Sequence, residues 1–116
     1  MLHAAHASRY HWGETAAEPV NLDRGEWQVS RVYAVINRPE PAIYHAERSL
    51  EICLKKKIGD FDLVYAYEAL TRGHQIAGNQ VEQKNYRLLA ENAGNQIADP
   101  EDLKIFLEDL ATIPQD

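Results

Sequence analysis

The stretch HAAHASRYHW, residues 3–12, gathers three of the chain's five histidines. On a helix, where each residue turns about 100°, His3, His6 and Tyr10 share one stripe. Two imidazoles three positions apart suit zinc or nickel, but a site requires a third ligand and usually a fourth. His45 and His74 are the only imidazoles elsewhere, and no histidine has a glutamate three positions before it. The Glu-x-x-His pattern of di-metal helical bundles is therefore missing, as is His-Glu-x-x-His. The expectation is a packing helix without metal or cofactor. Ala4, Ala7 and Ser8 would admit a close neighbour, and His3, His6 and Tyr10 form a secondary candidate surface. A small metal- or ligand-binding helical protein using His3 and His6 is the alternative.

Other chemistries find less. Cys53 is the single cysteine, so neither an intrachain disulfide nor a thiolate zinc site is available. It falls on an apolar stripe, which marks it as a small core residue. Gly73 and Gly78 in GHQIAGNQ are spaced as in a phosphate loop, but the Lys-Ser/Thr pair is missing and the segment follows a helix. The acidic pairs Asp60/Asp62 and Glu101/Asp102 stand at helix starts, where they complement the dipole. No catalytic residue is assigned, and the chain is not expected to be an enzyme.

The totals narrow the partners. At 116 residues the chain makes one domain. A net charge of −6 argues against nucleic acid, which demands a concentrated basic surface. The one basic run, Lys55-Lys56-Lys57, sits where a helix ends and complements its dipole. No apolar run is long enough to span a membrane, and a reduced, cytoplasmic setting follows from the cysteine usage.

Nearly everything reads as helix. Residues 2–12 end at Gly13, and Pro19 opens a helix with Leu22, Val29, Val32, Tyr33 and Ile36 at helical spacing. After NRPEP, with Asn37 as its cap, a third helix carries Ala42, Ala46, Leu50, Cys53 and Leu54 and stops at Gly59. Asp60 starts the next, with Leu63, Val64, Tyr67, Leu70 and Ala77 inward, and Gly78 ends it. Asn79 opens a fifth with Tyr86, Leu89, Ala90 and Ala93 inward, closing at Gly94. The last, 99–112, has Asp99 as N-cap and Leu103, Phe106, Leu107 and Leu110 as its stripe. The fold class is all-α: five or six antiparallel helices in stacked hairpins, with units over 20–57 and 60–94.

The two units repeat. Setting Asn37 against Gly78 superposes them at an offset of 41 residues, so that Val29 faces Leu70, Ser30 faces Thr71, Val32 faces Gly73 and Ser49 faces Ala90. The residues around the turns (Ser30, Tyr33, Ala42, Ala46 and Ser49, then Tyr67, Thr71, Gly78 and Ala90) resemble a tetratricopeptide repeat. HAAHASRYHW, NLDRGEWQVSRVYAV, PAIYHAERSLEIC and GDFDLVYAYEAL together are similar to a family of small bacterial tetratricopeptide-like proteins, over roughly residues 3–113. The resemblance implies a short right-handed superhelix that serves protein–protein contact, with no enzyme chemistry.

In such a stack the first helix of each hairpin lines the concave side. That places Arg24, Trp27, Arg31 and Ala34 on one stripe and Tyr65, Glu68, Arg72 and Gln75 on its equivalent. Arginine and aromatic side chains dominate binding hot spots. The function expected is a non-catalytic adaptor gripping a protein or peptide segment in this groove. Arg31 and Arg72, in register, would hold an acidic or C-terminal carboxylate. A solvated helix face is the bland reading of the same stripe. An uncapped first helix at Met1 adds two further expectations, an upstream helix or a homodimer, and a self-associating structural subunit is the remaining alternative.

Overall fold

Pro19, Pro39 and Pro100 each open a helix, at a position where the missing N–H has no intrahelical partner to lose. A computed structural model describes residues 19–57 and 60–115. These form α1 (Pro19–Val35), α2 (Pro39–Lys55), α3 (Asp60–Ala77), α4 (Gln80–Gly94) and α5 (Pro100–Ala111). No strand occurs among the described residues. Successive helices pack as hairpins; α1 also lies against α3, and α5 lies across α3 and α4. The chain is all-α, as its periodicity requires. The expected helix over 2–12, with His3, His6 and Tyr10, lies outside the described residues, as does the stop at Gly59.

The offset of 41 is written into the backbone: α1 and α3 begin at 19 and 60, and α2 and α4 at 39 and 80. The two hairpin turns close with the same bonds. Asn37 N–H donates to Ala34 O (3.1 Å) and Arg38 N–H to Tyr33 O (2.8 Å); Gly78 N–H donates to Gln75 O (3.2 Å) and Asn79 N–H to His74 O (2.9 Å). This is the Schellman closure, which needs a left-handed residue just past the helix. Asn37 at φ 59° and Gly78 at φ 80° supply it. The role expected of Asn37 therefore changes. It ends α1, and Arg38 occupies the N-cap of α2 without a side-chain bond. Asn79 likewise caps α4 through its backbone position, with its amide 3.0 Å from His74 Nδ1. Asp99 is an N-cap of the expected kind, accepting from the N–H groups of Glu101 and Asp102.

Behind this shared backbone the interiors differ. The second hairpin and α5 enclose Val64, Ala90, Ile97, Phe106, Leu110 and Ile113. Both hairpins also bury polar groups: Asp23, Glu26, Ser30 and Ser49 in the first, and Glu68, Thr71, His74 and Gln83 in the second. Ser49 donates to Asp23, and Ser30 donates to Ala42 O at 2.7 Å. His45 Nδ1 and Arg48 Nε both donate to Glu26, at 3.0 and 2.5 Å. At the offset of 41, Asp23 and Ser49 become Val64 and Ala90, while Glu26, His45 and Arg48 become Tyr67, Tyr86 and Leu89.

Several stripe residues expected inside are outside. Leu22, Leu54, Leu89 and Leu107 are each about half exposed, from 40% to 58%. On α4 the inward face is Gln83, Tyr86 and Ala90, which leaves Leu89 one helical step to the side. On α5 Phe106 and Leu110 face the core, and Leu107 points away from it. Ala77 also ends at the surface.

Two glycines set the helix spacing. A Cβ on Gly73 would stand 2.8 Å from Ile43 Cγ1, and one on Gly94 would stand 2.6 Å from the Phe106 ring. Phe106 is fully buried and has no room to withdraw. Gly94→Ala is expected to lose about 1–3 kcal/mol through overpacking. Gly78→Asn is expected to stay within about 0.5 kcal/mol, because open space surrounds it and Asn37 already performs the same turn. Urea denaturation of both variants measures this; equal losses would overturn the packing argument.

Candidate functional site

The seam between α1 and α3 is the place where the first helices of the two hairpins meet. At one end of it lies an open cavity of about 340 Å³, lined by Asp23, Arg24, Trp27, Gln28, Phe61, Asp62, Tyr65 and Asp109. Helical spacing builds the walls. Asp23 and Trp27 are one turn apart on α1, and Phe61 and Tyr65 are one turn apart on α3. The rings brace one another: Tyr65 meets Trp27 edge-on at 5.8 Å, Phe61 at 4.7 Å and Phe106 edge-on at 5.7 Å. Tyr65 also donates its hydroxyl to Asp109 Oδ2 at 2.5 Å. Burial, then that bond to Asp109, raises the phenol well above its ordinary range.

The polar groups of the cavity are unequally satisfied. Arg24 spans to α3 and grips Asp62 with two bonds, Nε to Oδ1 at 2.9 Å and Nη2 to Oδ2 at 3.2 Å. Asp23 is buried and accepts from Ser49 on α2. Burial pushes its carboxyl up to about 6, against the bonds from Ser49 and Cys53; Asp62 adds to the rise and Arg24 opposes it. Cys53, buried beside it, is driven far above the ordinary thiol range by desolvation and by the Asp23 charge. A thiol so placed stays protonated and is no nucleophile.

Farther along the seam lies a second cluster. Glu68 is fully buried at the middle of α3. Its Oε2 accepts from Arg72 Nη2 at 2.9 Å and, more loosely, from Arg31 Nη1 at 3.5 Å. Arg72 continues to α5, donating to Thr112 Oγ1 at 2.9 Å and Asp109 O at 3.3 Å. Burial lifts the Glu68 carboxyl above the usual carboxylate range despite both arginines.

Arg31 and Arg72 do converge, as their register implies, but on a carboxylate of the chain itself. Arg24 also has its own partner in Asp62. Glu68, expected on the groove surface, is interior. Arg24, Trp27 and Tyr65 meet at the cavity, while Arg31, Glu68 and Arg72 make the separate cluster, and Gln75 belongs to neither. The sequence reading missed Asp23, Phe61, Asp62 and Asp109; Asp62 had an adequate explanation at a helix start. The signal available was the repeat itself, since Asp23 stands where Val64 follows 41 residues later.

Among the described residues, no group of three or more His, Cys, Asp or Glu is placed to hold a metal ion. None of the described helices is long and apolar enough to cross a membrane. No family model, curated protein or solved structure matches the chain.

Two stability measurements test these networks. Glu68→Gln leaves Arg72 with a side chain only 17% exposed and no counter-charge; it is expected to cost about 3 kcal/mol, the scale for breaking a buried ion pair. Arg24→Ala removes an arginine that is 52% exposed and should cost at most about 1 kcal/mol. Comparable losses for the two would contradict the burial assigned to Glu68.

Asp23 gives a pH signature. Below 3.8, the ordinary value, folded and unfolded chains both hold its proton; between there and about 6 only the folded chain does. The proton uptake favours the fold at low pH, and this contribution is lost as pH rises through about 6. Asp23→Asn keeps an acceptor for Ser49 and removes the charge. It should gain stability relative to wild type from pH 4 to pH 8; a difference that does not change with pH would contradict the buried charge.

Proposed function

We propose that the protein is a non-catalytic helical-repeat module of tetratricopeptide-like build that binds a segment of a partner protein in the cavity between α1 and α3. The observation that carries this reading is the cavity itself. Trp27, Phe61 and Tyr65 line an open space of about 340 Å³ at the joint of two repeated hairpins. That size falls within the range of side-chain and small-ligand pockets, and aromatic walls are what anchoring residues fit. The protonated thiol of Cys53 agrees with a site that binds and does not react. The cytoplasmic setting and the kinship with bacterial tetratricopeptide-like proteins belong to the same proposal.

The acidic ligand inferred from free arginines is not carried forward. Arg31 and Arg72 are engaged by Glu68, and Arg24 by Asp62. A carboxylate arriving in the cavity would face Asp23 and Asp109 with no uncommitted arginine among the described residues that line it.

Selection from a random peptide display library tests the reading. Peptides enriched on the full chain should bind Trp27→Ala and Phe61→Ala at least about tenfold more weakly, the cost of one lost anchor, with helical circular dichroism preserved. Failure to enrich any peptide, or equal binding by both variants, would remove the cavity as the binding site.

A further inference from the structure

We propose that this cavity receives the ammonium group of a lysine side chain from the partner segment. The inference rests on the reading of the chain as a segment-binding module and supplies the ligand chemistry that reading leaves open. Three aromatic rings and three carboxylates face the space against a single guanidinium, and that guanidinium is already held by Asp62. Aromatic faces attract cations, and more strongly once water is excluded. A four-carbon stem lies along apolar walls while its charged head reaches a carboxylate. Asp23, at the foot of Trp27, supplies that carboxylate.

The second hairpin shows that a carboxylate at the place of Asp23 is not required by the fold. At the same offset of 41, Asp23 is replaced by Val64. Val64 is fully buried in an apolar cluster. An apolar residue thus fills the equivalent place in the same molecule. The first hairpin instead buries Asp23 with no direct cationic partner among the described residues, its bonds coming from Ser49 and Cys53. An ammonium ion is the counter-charge that completes it.

Charged and titratable groups meet Asp23 from every side. Arg24 adjoins it on α1, Cys53 faces it from α2 and Asp62 from α3, and Asp109 of α5 lines the same space. A cation is expected to bind the ionised form of Asp23, so affinity should rise as pH passes about 6.

The test uses n-butylammonium, which reproduces the lysine side chain, against 1-butanol as its neutral counterpart. The full chain is titrated at constant ionic strength while the indole N–H signal of Trp27 is followed, with Trp27→Phe distinguishing it from Trp12. Butylammonium should give a saturable shift, tighter at pH 8 than at pH 5, and butanol should not. Asp23→Asn should weaken binding about tenfold, the scale of one charge-assisted contact, and abolish the pH dependence. Arg24→Gln, which removes the competing cation and frees Asp62, should tighten it severalfold. Equal binding of butanol, no saturable shift, or weaker binding by Arg24→Gln would overturn the proposal. Library peptides that require Trp27 but contain no basic residue would also overturn it while leaving the module reading intact. Butylammonium binding without any enriched peptide would uphold the ammonium site and remove the module.

Discussion

The carboxylate of Glu68 sits at the centre of α3, shut off from the surface, and the arrangement of three helices follows from the need to compensate it. A buried carboxylate must be paired or neutralised. Arg72 reaches it from one turn along α3, and Arg31 reaches it from α1. Arg72 in turn holds the end of α5 through Thr112 and the carbonyl of Asp109. Arg87 grips the same end from α4, donating to the carbonyls of Leu110, Ile113 and Pro114. The last turn of α5 carries no basic residue of its own. Its exposed carbonyls are met by cations from two other helices, which fixes where α5 docks.

The two hairpins share a backbone and differ in what they bury. Asp23 with Ser49, and Glu26 with His45 and Arg48, fill the first; Val64 with Ala90, and Tyr67 against Tyr86, fill the second. Polar pairs of this kind add little stability over well-packed apolar residues. They do restrict geometry, because each bond has one partner at one distance. The first hairpin is tied by directional contacts between α1 and α2, whereas close packing sets the approach of α3 to α2 at Gly73 and of α4 to α5 at Gly94.

Much of this was legible in the sequence. Prolines, glycines and the Asp99 cap located the helices, and matching Asn37 with Gly78 fixed the repeat to the residue. The convergence of Arg31 with Arg72 followed from that register. What the register could not convey is which side of a helix the next one covers. A glutamate four residues before an arginine has the pattern of an exposed pair, and only the docking of α1 and α5 makes Glu68 interior. Leu107 and Leu89 failed for the same reason in reverse: apolar residues one step off the buried stripe stay about half exposed. The cavity was invisible as a motif because its walls come from three helices.

In a repeat array, stability divides into what each unit contributes alone and what each joint contributes. The cavity lies in the joint, with Asp23 and Trp27 from one unit and Phe61, Asp62 and Tyr65 from the next. Any occupant touches both units at once, so its binding free energy adds to the joint and not to either unit alone. Filling of the cavity and the docking of the first hairpin onto the rest are then a single equilibrium. The weaker the joint is when empty, the more an occupant changes the cooperativity with which the whole array folds.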